Sequence, residues 1–127
     1  MYNLTVDHGF SAAHRLRIEG HKCEALHGHN WKVSVTVKGR KLDERGMLID
    51  FSDLKKIIRS IVDPFDHKYL NDIPPFDTIN PTTENLCRIM AERIAEMLPK
   101  NILVHEVRIF ESEGKSGEYF PNELSEV

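Results

Sequence analysis

Within the seven residues Cys23-Glu24-Ala25-Leu26-His27-Gly28-His29 the chain carries a thiol, a carboxylate and two imidazoles. His27 and His29 are two residues apart, and in a β-strand that spacing points both side chains to one face. Two neutral imidazoles on a common face are half of a metal site. A thiol in the preceding loop is a candidate base or nucleophile. A third ligand, a proton partner for the thiol and a pocket must come from the rest of the chain.

Strand alternation supplies the third imidazole. Residues 2–14 place Tyr2, Leu4, Val6, Phe10 and Ala12 on one face and Asn3, Thr5, Asp7 and Ser11 on the other, as a half-buried strand does. His8 and His14 share the apolar parity. Residues 15–26 are polar and read as a loop. From His27 the alternation resumes, with His27, His29, Trp31, Val33, Val35 and Val37 inward, and the β-branched residues support a strand. Consecutive strands usually pair antiparallel. His14 ends the first and His27 begins the second, so His14, His27 and His29 meet at one end of the ribbon and on one face. A lone histidine among apolar neighbours is more often a core residue than a ligand, and His8, His21 and His105 are read as core or surface residues. Three converging imidazoles point instead to a metal. They suit zinc, with a fourth position open to water or substrate.

Other groups could complete the chemistry. Cys23 sits in a charged loop where a thiolate can form, whereas Cys87 falls in a helical stripe and reads as packing. Asp66-His67 is a carboxylate–imidazole pair able to serve as the proton partner, or else part of a solvated turn. Glu111 follows Val107 and Ile109 on the apolar parity, as either an exposed strand end or a pocket anchor for a guanidine-like group. Thr82 and Thr83 lie at a helix start, where threonine more often caps than binds.

The elements that must position these groups follow from the remaining pattern. A first helix, capped by Asp50 or Ser52, carries Leu54, Ile57, Ile58, Ile61 and Val62 and stops at Asp63-Pro64. Residues 65–81 lack sustained periodicity, and a connection of that length is usually functional or disordered. Pro81-Thr82-Thr83-Glu84 opens a second helix, with Leu86, Ile89, Met90, Ile94, Met97 and Leu98 as its buried stripe. Residues 102–112 alternate again, with Leu103, His105, Val107, Ile109 and Glu111 on one parity, and Glu118-Tyr119-Phe120 suits a short last strand. The order ββααββ predicts an α+β fold, an antiparallel sheet with two helices packed on one face, in a single domain spanning 1–127.

Composition narrows the function. With 127 residues, 40% hydrophobic and 29% charged, the chain can bury a core of its own. A net charge of −3 argues against a broad nucleic-acid or membrane-surface role, while a local pocket can still take an anionic small substrate. No apolar run approaches a membrane span, and Met1 leads directly into alternating residues without a signal-peptide pattern. Two cysteines in different contexts make a disulfide framework improbable. A cytoplasmic enzyme or binding domain is expected.

Phe10-Ser11-Ala12-Ala13-His14-Arg15-Leu16, Cys23-x-x-x-His27-Gly28-His29, Asp50-Phe51, Asp66-His67-x-Tyr69-Leu70-Asn71, Asn80-Pro81-Thr82-x-Glu84 and the late Glu111 together resemble the 6-pyruvoyltetrahydropterin synthase family. The match runs from residue 2 to about 120 in motif order. The three-residue gap between Cys23 and His27 is similar to the bacterial branch, 6-carboxytetrahydropterin synthase of queuosine and deazapurine biosynthesis. The resemblance implies a tunnelling fold, with subunits joined into trimeric barrels and two trimers stacked into a homohexamer with interfacial active sites. It implies zinc on His14, His27 and His29, Cys23 as the base, Asp66 and His67 as the proton relay, and Glu111 holding the pterin ring. Thr82 and Thr83 are carried with Glu111 as substrate-binding candidates. The implied substrate is 7,8-dihydroneopterin triphosphate, with acetaldehyde and triphosphate released; Arg15, Lys22 and Lys68 are candidates for the triphosphate. Glu24 beside Cys23 opens an alternative. A folate-linked branch uses a glutamate before His-Gly-His and makes 6-hydroxymethyl-7,8-dihydropterin, alone or in addition. A catalytically silent zinc- or pterin-binding module on the same fold is the alternative of another class.

Overall fold

A computed structural model of the chain describes residues 1–18 and 25–121, with the side chain of His27 outside the described set. β1 (Tyr2–His14) and β2 (His27–Gly39) pair antiparallel along their full lengths, from Tyr2 opposite Gly39 to His14 opposite His27. Each has 13 residues, so alternation repeats often enough to set the register firmly. Phe10, Ala12, Trp31, Val33, Val35 and Val37 are buried on the expected face.

Two helices cover that face. α1 (Phe51–Val62) starts where the Asp50 carboxylate accepts the backbone N–H of Ser52 at 2.8 Å, choosing Asp50 over Ser52 as the cap. It buries Leu54, Ile58 and Val62 against the sheet. α2 (Thr83–Met97) is capped by Thr82, whose hydroxyl accepts the N–H of Asn85 at 3.1 Å. Its core stripe is Leu86, Cys87, Ile89, Met90, Ala91 and Ile94. Met97, expected in the stripe, is exposed as the last residue of the helix.

The connection between the helices is ordered. It makes two short 3-10 turns and a two-residue strand, β3 (Lys68–Tyr69), which pairs parallel with Ala12 and Ala13 of β1. Phe65, Leu70 and Phe76 from this stretch are fully buried. Its irregular spacing reflects turns that insert one side chain at a time rather than a missing core role.

β4 (Leu103–Ser112) pairs with β2, and β5 (Lys115–Tyr119) closes the sheet in the order β3-β1-β2-β4-β5. Gly114, at φ +81°, takes the left-handed conformation that the β4–β5 turn demands. The expected parity of β4 fails at one place. Thr36 pairs with Glu106 but Val37 with Val104, so β4 holds an extra residue there. Val107 and Ile109 face the core as expected; beyond the bulge Val104 is buried and Leu103 is exposed. The sheet with two helices on one face is the expected α+β arrangement, with β3 added at its edge.

Candidate active site

The site lies where β1 ends and β2 begins. His14 is the last residue of β1 and is buried. Its Nδ1 lies 2.9 Å from the carbonyl oxygen of Pro81. A carbonyl only accepts, so Nδ1 carries the hydrogen and Nε2 keeps its lone pair for the site. His29 belongs to β2 and sits diagonally across the ribbon, its ring centroid 5.2 Å from that of His14 and its plane turned by 75°.

Trp31 braces both rings. Its indole meets His14 edge-on at 5.0 Å and His29 at 5.4 Å, stacks on Phe10 at 5.8 Å, and donates its Nε1–H to the carbonyl of Ala12 at 3.2 Å. Sequence reasoning placed Trp31 in the core without assigning it to the site. Its position two residues after His29 on one strand face was the available signal.

Glu111, near the end of β4, completes the cluster. Its Oε1 lies 3.4 Å from Nε2 of His29 and its Oε2 lies 3.9 Å from Nε2 of His14. Thr83, the first residue of α2, donates its hydroxyl to Oε2 of Glu111 at 3.5 Å. The helix N-terminus so placed favours a carboxylate there. Of the two threonines, Thr82 has its side chain committed to the cap, and Thr83 is the one turned to the site.

One donor atom each from His14, His29 and Glu111 lies within 4.8 Å of the others. Two donors held about 2 Å from a tetrahedral ion stand roughly 3.3 Å apart, so separations of 3.4 and 3.9 Å suit a divalent ion after small movements. The donor set and the oriented tautomer of His14 therefore fit a metal. His27 lies opposite His14 in the register; its side chain lies outside the described residues, as do Cys23, Glu24, His21 and Lys22.

Asp66 and His67 form the expected pair, with Nδ1 of His67 3.0 Å from Oδ1 of Asp66. The same oxygen accepts the backbone N–H of Ser11 at 2.8 Å, and the backbone N–H of His67 donates to the Ser11 carbonyl at 2.6 Å. The Ser11 N–H, followed by His67, holds the Asp66 carboxyl below the usual aspartate range. His67 adopts φ +57°, rare for a residue with a side chain, and its imidazole is 81% exposed.

The pair makes its hydrogen bonds with the backbone of Ser11. His67 lines an open depression of about 420 Å³ that Ala12, His29, Ser11 and Asn30 also line. Strand alternation turns Ser11 and Asn30 away from the helix-covered face, to which Ala12 and His29 belong. Two further described histidines are engaged elsewhere: His8 bonds Asp63 at 2.7 Å, and His105, at the bulge, packs on Phe120. Burial pushes the Cys87 thiol up to about 12, keeping it neutral and inert. No helix among the described residues is long and apolar enough to cross a membrane.

Comparison with known proteins places this geometry. Over 116 residues the chain is 43% identical to an Archaeoglobus fulgidus protein named "Putative 6-carboxy-5,6,7,8-tetrahydropterin synthase", covering 91% of this chain and 92% of that protein. It is 37% identical over 102 residues to the dihydroneopterin monophosphate aldolase of Pyrococcus furiosus, covering 80% and 82%. The Caenorhabditis elegans 6-pyruvoyl tetrahydropterin synthase structure superposes with a TM-score of 0.81 at 28% identity, covering 94% of each chain. The family profile for 6-pyruvoyl tetrahydropterin synthase matches residues 3–122. With its tunnelling-fold sheet and a metal-competent cluster at the end of the first ribbon, the chain belongs to the 6-pyruvoyl tetrahydropterin synthase family and is a pterin lyase of that family.

Proposed function

We propose that this protein is a 6-carboxy-5,6,7,8-tetrahydropterin synthase, converting 7,8-dihydroneopterin triphosphate to 6-carboxytetrahydropterin with release of acetaldehyde and triphosphate. The observation that carries the metal-dependent reading is the convergence of Nε2 of His14 and of His29 on one carboxylate. The relative with 43% identity over nine-tenths of the chain supports the choice of product. In this reading zinc is the resident metal and queuosine or 7-deazapurine synthesis is the pathway.

His14, His27 and His29 would hold the zinc. When bound, it supplies Lewis acidity toward the side-chain hydroxyls of the substrate, so a weak base suffices. Cys23 removes the side-chain proton, and Asp66 with His67 carries protons to and from the reacting chain. Asp66, ionised at neutral pH, keeps Nδ1 of His67 protonated and leaves Nε2 to exchange. Glu111 lies against this cluster and, with Thr83 beside it, would accept paired N–H groups from the pterin ring.

His67 is 81% exposed at a depression lined from both faces of the sheet, so it can act on a group brought from outside its own chain. This supports active sites shared between copies, in the homohexamer of two stacked trimers, acting on a small molecule in the cytoplasm.

A second reading has its own support. Glu24 next to Cys23, together with the relative named as an aldolase, favours some cleavage to 6-hydroxymethyl-7,8-dihydropterin, the folate-type product. Mass-spectrometric product analysis with dihydroneopterin triphosphate, comparing wild type, Cys23→Ala and Glu24→Ala, tests both. We expect 6-carboxytetrahydropterin from wild type and its loss in Cys23→Ala. A hydroxymethyl product that survives Cys23→Ala but not Glu24→Ala would establish the second activity. No pterin product from zinc-loaded wild type would refute both and leave a silent binding module.

A further inference from the structure

Past His14 the chain leaves β1 and runs on as Arg15-Leu16-Arg17 outside any strand. Two asparagine side chains meet it there. The Asn71 carboxamide accepts the backbone N–H of Arg15 at 2.9 Å and donates to the Arg15 carbonyl at 2.7 Å. The Asn80 carboxamide does the same for Arg17, at 2.7 and 2.9 Å. A carboxamide carries one acceptor and a donor group side by side. It can therefore exchange with one residue the same two bonds that a strand exchanges in an antiparallel pair. β3 partners Ala13, Asn71 partners Arg15 and Asn80 partners Arg17, so alternate residues are held in series after the sheet itself has ended.

Asn80 is also tied to the site. Its own carbonyl accepts the N–H of Thr82 at 2.8 Å and the side chain of Asn85 at 2.9 Å, which anchors it to the start of α2. The next residue, Pro81, offers the carbonyl that orients His14. Thr83, two further on, reaches Glu111. Four consecutive residues thus connect the chain beyond His14, the ring of His14, the helix cap and Glu111.

We infer that Asn71 and Asn80 are positioning residues for the reaction, their carboxamides replacing a missing strand to hold His14 and the chain that follows it in register with Pro81 and Glu111. The functional half of this inference rests on the metal-dependent reading above; the structural half does not.

The test uses the full chain with Asn71→Ala, Asn80→Ala and the half-replacements Asn71→Asp and Asn80→Asp. Aspartate keeps the acceptor for the backbone N–H and loses the donor to the carbonyl. Amide hydrogen exchange, zinc affinity by competition with a chromophoric chelator, and pterin turnover are measured on each. We expect faster exchange at Arg15 in Asn71→Ala and at Arg17 in Asn80→Ala, with Leu54 and Ile58 in α1 unchanged. Removing partners that orient a ligand typically costs ten- to a hundredfold in metal affinity, so we expect zinc affinity to fall about tenfold in each alanine variant and less in the aspartates. Zinc affinity within about twofold of wild type in both alanine variants would overturn the inference. So would acceleration of Leu54 and Ile58 in step with Arg15 and Arg17 in all four variants, which marks a role in overall stability alone. Absence of turnover in wild type would count against the proposed function instead, while exchange and zinc affinity still decide this one.

Discussion

The two imidazole sites of this chain are built on opposite terms. His14 and His29 are packed on Trp31, and His14 is oriented by the Pro81 carbonyl; both rings face Glu111. His67 is oriented as well, by Asp66, but its ring is 81% exposed and its backbone sits at φ +57°. The first site is enclosed by its own chain, as a metal centre requires if its ligands are to be held in place before the ion arrives. The second is held at its base and open at its tip. The difference teaches that one chain of this fold presents one imidazole cluster packed against its core and one oriented imidazole left to solvent.

The comparison can be broken most severely at the enclosed half. Replacing His14 or His29 by alanine should remove tight zinc binding and lower turnover by about a thousandfold or more, since Lewis-acid stabilisation is worth several kcal/mol. Metal content by mass spectrometry and steady-state rates would show it. His67→Ala should act differently, lowering kcat by roughly a hundredfold to ten-thousandfold, as loss of an acid–base group does, with zinc content unchanged. Equal loss of zinc in both variants would erase the distinction. Trp31→Leu addresses the brace: we expect about 2–4 kcal/mol lower stability in chemical denaturation, from the cavity left beside Phe10.

Much of the enclosed half was legible in the sequence; of the open half the Asp66–His67 pairing was legible, and its place in the fold was not. Alternation in β1 and β2 placed His14, His27 and His29 at one ribbon end, and the 13 paired residues of the register place their backbones so. Two long strands joined by a loop leave few other pairings. Alternation speaks only within a strand, however. It could not show that the irregular stretch after α1 would lay β3 along Ala12 and Ala13, nor that Asp66 would take the Ser11 N–H. The extra residue near His105 was equally hidden, because a bulge depends on the partner strand. Glu111 had the correct parity, but its approach to the histidines arises from how β4 and α2 meet, through Thr83.

Smaller effects sharpen the contrast further. Because the folded carboxyl of Asp66 titrates below its ordinary value of 3.8, its stabilising contribution is present above that value and disappears as pH falls through the lower folded one. A carboxyl-carbon NMR titration should therefore find Asp66 ionised throughout the neutral range, and a midpoint above 3.8 would contradict the Ser11 contact. The least visible change is at Cys87. With its thiol pushed up to about 12, iodoacetamide at pH 8 should leave it unmodified in the folded protein, with peptide mapping as the check.

The proposed sharing of the site between copies is tested most directly by mixing variants. His14→Ala and His67→Ala chains, each strongly impaired alone, would be unfolded together, refolded with zinc and assayed for pterin turnover. If each site takes its histidine cluster from one copy and His67 from another, random assembly should restore roughly a quarter of wild-type activity. Mixed assemblies that form and remain as impaired as either parent would contradict the account.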